Sequence, residues 1–468
     1  GRIIRQRTKS YDEEAPLERV ENIAGLFGTF KNPDKETVLT PWNVVNRHLV
    51  MTIGGLNYFD DDFEKTTRNG INIRDWIETD ETRIAFSSSS RLLEINSKTG
   101  LYPLYAASSL YYKAFEQMNE QMAGRFNKED EEKLWRNILD NNIYVIAKTP
   151  MAKVITERTL AGYRNYKTNV KYIDEIVSQA KKSISLTADH IKKEFDNVKF
   201  DVVIGNPPYQ SETEGTRTSD KSIYHLFYDL AMDIAPIITL ITPARWLFNA
   251  GDTPKAWNEK MLNSSNLKVI YYKENSDFIF PKNEIKGGIA ITLFDKNKSY
   301  ESIGLFVKFP YQKRILEKVE KFGLKDNLSS IIQTSNKLNL VNLFEDYPEL
   351  RGIISSGGKE RRLQSNIFSK LPVIHEKREK NDDLTIIGVM NNERIYQYIN
   401  SRYIDLNSVN LFKYKVLLPK SSKSGTFGET LSDSKIAKPT EGYTYTFIGI
   451  GFFDTKLEAE AAEKYIKT

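Results

Sequence analysis

Four consecutive residues, Asn206-Pro207-Pro208-Tyr209, combine side chains and backbone in a way that suits one kind of chemistry. Asn206 and Pro207 each precede a proline, which drives both out of the helical region, and the prolines have no N–H to donate. The backbone here can only accept hydrogen bonds. An amide oxygen, a bare carbonyl and a nearby aromatic ring suit a planar exocyclic amine: the two oxygens take its hydrogens and the ring stacks on its face. The plain alternative for Asn206 is a tight turn without chemistry. The preceding run, Phe200-Asp201-Val202-Val203-Ile204-Gly205, is short, apolar and β-branched, so the candidate groups sit where a buried strand ends.

Other elements must bring a reaction partner to that strand end. Residues 91–95 (Arg-Leu-Leu-Glu-Ile) predict a second strand, followed by Asn96-Ser97-Lys98-Thr99-Gly100 and an aromatic-rich helix through Phe115. Strand, polar turn with a glycine, helix is how a nucleotide-like cofactor is met, because glycine lets the backbone come close and the helix N-terminus offers free N–H groups. One glycine serves an ordinary turn equally well. Upstream, Thr40 predicts an N-cap with Pro41 at the first helical position, and Val44, Val45, His48 and Leu49 as the buried face. Further strands are expected at Ile143–Ala147, Val170–Asp174, Ile237–Ile241, Leu267–Tyr272 and Gly288–Phe294, with helices between most of them. A charged helical stretch over 116–141 should break near Gly124, and the polar loop from Gln210 to Asp220 should be mobile. This alternation predicts an α/β fold, a mainly parallel, doubly wound sheet with a cofactor at the C-terminal ends of its strands.

A chain of 468 residues, 40% hydrophobic and 28% charged, has room for two or three globular domains. The absence of cysteine excludes a disulfide framework and thiolate metal sites and suits a reducing compartment. His48, His190, His225 and His375 are scattered without metal-ligand spacing, so each reads as a surface or core residue and no metal is expected. The longest apolar stretch, Ile234 to Ala250, is interrupted by two prolines and Arg245, so no membrane span and no signal peptide are expected. The first residue is Gly1 rather than Met, which points to a processed or excised piece of something longer.

Beyond about residue 300 the texture changes. A helix-like stretch from Tyr311 to Phe322 leads into sequence rich in Asn, Ser, Lys and aromatics, with short apolar runs at 385–389, 415–418 and 443–450 and a final helix over 454–467. The expected organisation is a helical lead-in over 1–30, an α/β domain over 31–300 and a C-terminal α+β or mostly β domain over 310–468. The formal charge of +5 is segregated: residues 301–468 hold 26 Lys+Arg against 21 Asp+Glu, leaving residues 1–300 neutral. That agrees with a polyanion contacted mainly by the C-terminal part, against the plain reading of a solvated basic face.

Taken in order, these motifs resemble the γ-class adenine-N6 DNA methyltransferases, as in the type IIG and type ISP restriction–modification enzymes, over roughly residues 31–295. Thr40-Pro41-Trp42-Asn43-Val44-Val45 matches the family's first helix motif, and Leu93 to Gly100 its cofactor loop, with Glu94 in the acidic position. Asp174 falls where the family contacts the cofactor's adenine, and Asn206 to Tyr209 is the catalytic motif. Ile241-Thr242-Pro243-Ala244-Arg245-Trp246 is the next-strand signature, and Phe280 stands where a second stacking aromatic is supplied. The resemblance implies a Rossmann-like methyltransferase sheet with a C-terminal target-recognition domain, S-adenosylmethionine as cofactor and double-stranded DNA as partner. It also implies base flipping, a fused or associated nuclease or helicase, and the cytoplasm of a prokaryotic cell. On that basis Asn206, Pro207, Pro208, Tyr209 and Phe280 are the expected catalytic residues, and Thr40, Pro41, Glu94, Asn96, Gly100, Asp174 and Asn206 the expected cofactor residues. Lys413, Lys415, Lys420, Lys423, Arg361 and Arg362, interleaved with Asn, Ser, Gln and Tyr, are the expected DNA contacts.

Two positions depart from the family pattern. Lys98 replaces a small residue, and Ala147 stands where a carboxylate usually binds the cofactor ribose. Two other functions therefore stay open: a protein glutamine methyltransferase, which carries the same Asn-Pro-Pro-Tyr motif, and a degenerate methyltransferase retained to recognise DNA for a nuclease.

Overall fold

The β-branched runs assemble into a seven-stranded sheet: β1 (Leu92–Ser97), β2 (Ile143–Ala147), β3 (Asn169–Tyr172), β4 (Val202–Gly205), β5 (Ile237–Pro243), β6 (Leu267–Lys273) and β7 (Ile289–Asp295). A computed structural model provides the coordinates and describes residues 2–30, 39–121, 127–211, 221–280, 285–322, 328–354, 361–391, 393–420 and 433–467. The strand order is β6-β7-β5-β4-β1-β2-β3. Strands β1, β2, β4 and β5 are buried along their whole length, as expected of parallel strands covered on both faces. The sheet is parallel except at β7, which runs antiparallel to both β5 and β6. Among the described residues between β6 and β7 no helix is long enough for a crossover, in keeping with their antiparallel pairing.

Chain order reverses at β1, which pairs with β2 on one side and β4 on the other. In a doubly wound sheet the crevice at such a point is where ligands bind, because the loops leaving the two strands diverge. Here those loops are residues 96–100 and the Asn206 turn.

Two apolar cores cover the two faces. The first gathers side chains from α2 (Pro16–Gly28), α3 (Trp42–Thr52), α4 (Leu101–Gln121), α5 (Lys128–Asn141) and α6 (Pro150–Ala161). The second is built on α7 (Ile184–Glu194), α8 (Tyr224–Ile234) and α9 (Lys255–Leu262). The first eleven residues of α4, Leu101 to Tyr111, are buried all round, which places the start of this helix inside the fold directly after the loop over 96–100. Residues 2–30 contain two α-helices, α1 (Arg2–Ser10) and α2, and α2 belongs to the first core. Arg19 of α2, 1% exposed, pairs with Asp12 at 3.0 Å and donates to the carbonyls of Arg158, Thr159 and Leu160, which end α6. The expected break near Gly124 and the polar loop over 212–220 lie outside the described residues. No helix among the described residues is long and apolar enough to cross a membrane.

The chain divides into two units, Gly1–Gln312 and Lys313–Thr468. The second contains two four-stranded sheets, mostly antiparallel, made from short strands between 332 and 453, with a C-terminal helix, Lys456–Lys467. The expected run over 443–450 is broken into Glu441–Tyr443 and Phe447–Phe453, which join different sheets. Leu338, Leu343, Ile386 and Ile399 centre one core of this unit, and Val416, Leu418 and Ile450 another.

Candidate active site

Strand β4 ends at Gly205, and Asn206 then sits 6% exposed at the crevice between β4 and β1. Its amide nitrogen donates to the Thr40 hydroxyl at 3.0 Å. Its backbone carbonyl accepts from the Asn96 amide at 3.3 Å. Its Oδ1 is buried and has no partner among the described residues. Among the described residues nothing donates to the Pro207 carbonyl either. A buried acceptor left unpaired is costly in a folded protein, so water or a ligand group that completes it gains a hydrogen bond there. The turn therefore presents two free acceptors, as its sequence requires.

The partners of Asn206 come from elements that sequence reasoning treated differently. Thr40 was expected to cap α3, with Pro41 as its first residue; instead Pro41 occupies the cap position, no side chain caps the helix, and Thr40 turns to Asn206. With the cap position shifted to Pro41, which has no side-chain acceptor, the Thr40 hydroxyl lies one residue outside the cap and accepts from the Asn206 amide. Asn96 adopts a left-handed conformation, φ 81°, where the register of β1 with β2 slips between Ile95 and Ser97. Asparagine is among the few residues that tolerate this backbone. Neither contact has a local sequence signal, since Thr40 and Asn206 are 166 residues apart and Asn96 and Asn206 are 110 apart.

Glu94 lies beside them on β1, 5% exposed, with Oε2 unpartnered. Burial pushes its carboxyl up to about 8, against smaller opposing effects of Ser97 and Lys98. Gly100, expected to let the backbone approach a cofactor, also has a packing reason to be glycine: φ is +80°, and a Cβ there would meet Thr156 and Thr159 of α6 at 3.1 to 3.2 Å. It permits close packing of the loop on α6, where Thr159 also donates to the Thr99 carbonyl at 2.6 Å. Asp174 follows the edge strand β3 in an exposed loop, its carboxylate accepting from Tyr172 and the Glu175 backbone. Ala147 is 3% exposed and packed in the first core.

Tyr209 packs its ring on the first core with its hydroxyl buried beside the Asn206 side chain, and burial raises that hydroxyl far above its ordinary value. Phe280 is corrected by the structure. At 1% exposure it is a core residue of the first unit, and a ring meant to stack on an incoming base needs an open face. Phe278, two residues earlier, is 71% exposed and lines a cavity of about 780 Å³ with Pro41, Trp42, Arg47, Tyr271 and Lys273. The buried His48 is a core residue, held by the Tyr102 and Thr239 hydroxyls at 2.8 and 2.7 Å and kept neutral by burial, which lowers it to about 3.

Of the six expected DNA contacts, Lys415 is corrected by the structure and Lys423 falls outside the described residues. Lys415 is fully buried, donates to the carbonyls of Leu411, Lys413 and Lys438, and cannot reach a phosphate. Lys413 is paired with Asp454, and Arg361 with Asp405 at 3.0 Å, so each already has an anion. Lys420 is exposed with its ammonium 3.0 Å from the centroid of the Tyr445 ring, and its pKa is lowered by partial burial and by nearby Arg362. Arg362 is half-buried with Nε unpartnered.

With this geometry in place, comparison with known proteins is decisive over one stretch. Residues 141–280 match the Eco57I restriction-modification methylase family. Within that match lie Ala147, Asp174, the Asn206 turn and Phe280; Thr40, Glu94, Asn96 and Gly100 lie outside it. An "Uncharacterized adenine-specific methylase" of Mycoplasma pneumoniae is 34% identical over 140 residues, 28% of this chain and 33% of that relative. The resemblance read from the sequence is thus borne out, while the matched stretch spans only about a third of the curated relative. Two solved structures are similar along most of the chain: the "ATP-dependent Type ISP restriction-modification enzyme LlaBIII bound to DNA", and the type ISP enzyme LlaGI as a nuclease-deletion mutant with a DNA substrate mimic. The first is 13% identical with a TM-score of 0.44, over 93% of this chain and 35% of that one. The second is 13% identical with a TM-score of 0.45, over 92% of this chain and 43% of that one.

Proposed function

We propose that the chain transfers a methyl group from S-adenosylmethionine to the N6 amine of adenine in duplex DNA, as the modification part of a restriction–modification system. The observation that carries this reading is the buried Asn206 Oδ1 without a partner, beside the free Pro207 carbonyl. The match of residues 141–280 to a restriction–modification methylase family supports it.

The residues around the crevice fit the cofactor. Glu94 holds an orphaned carboxyl oxygen suited to a cationic ligand, and the resemblance adds Asp174. When bound, S-adenosylmethionine supplies an electrophilic methyl on a sulfonium. The adenine amine is a poor nucleophile because its lone pair is delocalised into the ring. Hydrogen bonds from that amine to Asn206 Oδ1 and the Pro207 carbonyl would draw the nitrogen toward tetrahedral geometry and aim its lone pair at the methyl. The methyl–sulfur bond electrons would stay on the departing thioether, S-adenosylhomocysteine, and the methylated nitrogen would lose its extra proton along these acceptors to water, so no dedicated base is needed. Adenine in a duplex must first be flipped out, at a cost of a few kcal/mol, which stacking on Tyr209 at roughly 1–3 kcal/mol helps to offset. The second unit, with Lys420 and Arg362, is the proposed DNA-recognition surface, and a fused or associated nuclease is the proposed companion activity.

The test is transfer of labelled methyl to duplex DNA followed by nucleoside analysis. Label in N6-methyladenine is the expected result. Label on a protein glutamine instead, or DNA binding with no transfer at all, would replace this reading with one of its rivals.

A further inference from the structure

We infer that Thr40 and Asn96 are positioning residues that fix which end of the Asn206 amide faces the reacting amine. The inference rests on the methyl-transfer reading above for its chemistry, and on three atoms for its geometry. A carboxamide is nearly symmetric in shape, so its oxygen and NH2 exchange places by a half-turn about the last side-chain bond. With NH2 toward an incoming amine, donor would meet donor and the substrate would be repelled. Thr40 Oγ1 holds Asn206 Nδ2 at 3.0 Å, which leaves Oδ1 on the other side, buried and unpartnered. Asn96 Nδ2 holds the Asn206 backbone carbonyl at 3.3 Å, which fixes the peptide from which that side chain and the free Pro207 carbonyl project.

The supports come from separate places in the chain. Thr40 immediately precedes the cap residue of α3, and Asn96 is the left-handed residue at the register slip of β1. Asn96 meets two demands at once, tolerance of positive φ and a short side-chain donor; glycine would meet only the first and serine or threonine only the second. Since Asn96 belongs to the loop expected to hold the cofactor, the same contact links that loop to the catalytic turn.

Three substitutions in the full chain test this. Thr40→Val keeps the shape and removes the acceptor, Thr40→Ser restores it, and Asn96→Asp keeps size and φ tolerance while replacing the donor by an acceptor. Thr40→Val and Asn96→Asp are each expected to lower kcat about tenfold, roughly the worth of one hydrogen bond, with calorimetric affinities for S-adenosylmethionine and DNA within about twofold of wild type. Thr40→Ser is expected to recover kcat to within about twofold. Unchanged kcat in Thr40→Val, or a loss of cofactor affinity as large as the loss in kcat, overturns the inference; the latter would make Thr40 a cofactor ligand. A crystal structure of the Thr40→Val protein reads the same point without turnover: an Asn206 amide that turns or finds another acceptor supports positioning, and one that stays in place overturns it. Wild-type protein that forms no N6-methyladenine would sink the functional reading alone, and the crystallographic comparison would still decide this one.

Discussion

Glu94 on β1 lies in register with Ile204 on β4, so its buried carboxyl and the Asn206 amide leave adjacent parallel strands at the same end of the sheet. The carboxyl is held up near 8 by burial, against an ordinary value of 4.5. The folded protein therefore binds a proton there that the unfolded chain releases, and stability contributed by this group falls as pH rises from about 4.5 to about 8, by at most about 1.4 kcal/mol per pH unit. A cationic cofactor favours the carboxylate, so binding should release a proton and tighten as pH rises toward 8, by up to about tenfold per unit. Calorimetry from pH 6.5 to 8.5 measures this, and Glu94→Gln should flatten the dependence; a flat profile in the wild type would remove Glu94 from the cofactor site.

Asn206→Ala should lose all but a few per cent of methyl transfer at saturating cofactor and DNA. Its stability should change by no more than about 1–2 kcal/mol, because the substitution removes an unsatisfied acceptor along with the bond to Thr40. Thermal unfolding and a tritium transfer assay separate the two effects. Retained activity in a folded variant would rule out the assigned mechanism.

Ala147 tests how far the family pattern can be carried over. A carboxylate restored there would lie in the first core at a position 3% exposed, where burying a polar group without partners costs about 1–3 kcal/mol. Ala147→Asp is therefore expected to lower the melting temperature and leave cofactor affinity unimproved. Tighter binding by calorimetry would show that the side chain reaches the ribose after all.

Arg19 and Asp12 tie the N-terminal helices to the end of α6. Burial lowers the guanidinium to about 10, and its three carbonyl partners leave it no route to water. Asp12→Ala strands that cation and removes the acceptor of the Tyr163 N–H, so a loss of about 3–5 kcal/mol is expected in chemical denaturation. A loss below 1 kcal/mol would mean that residues 1–30 add little to the first unit.

The sheet was legible because its strands are short β-branched runs with helical stretches between them, and fully buried parallel strands need nothing subtler. The Asn206 turn was legible because two prolines dictate its backbone. What could not be read were contacts set by tertiary packing. A threonine before Pro41 looks like a cap wherever no distant amide competes for it, a bulge at Asn96 leaves no mark in a run of polar residues, and the packing of Gly100 against α6 has no local signal. Phe280 and Lys415 failed for a related reason: side-chain type gives the chemistry a residue could do, and burial decides whether it can be reached.

Burial and pairing sort the basic residues of the second unit into those that can contact phosphate and those that cannot. Lys420 is exposed over Tyr445, and Arg362 stands close enough to Lys420 to lower its pKa. Two like charges held together gain from an anion between them, so this pair is the expected phosphate contact. Lys415 is spent on three carbonyls, whereas Lys413 and Arg361 sit in exposed surface pairs with carboxylates that a phosphate must displace. Each true contact releases counterions, giving a log–log salt slope near −0.9 per phosphate on duplex DNA. In the full chain, Lys420→Ala and Arg362→Ala are each expected to make that slope shallower by about one and to weaken binding to different sequences alike. Lys415→Ala should lower thermal stability and leave the slope unchanged. Fluorescence anisotropy over a salt series measures all three, and an unchanged slope in both Lys420→Ala and Arg362→Ala would move the DNA contact elsewhere.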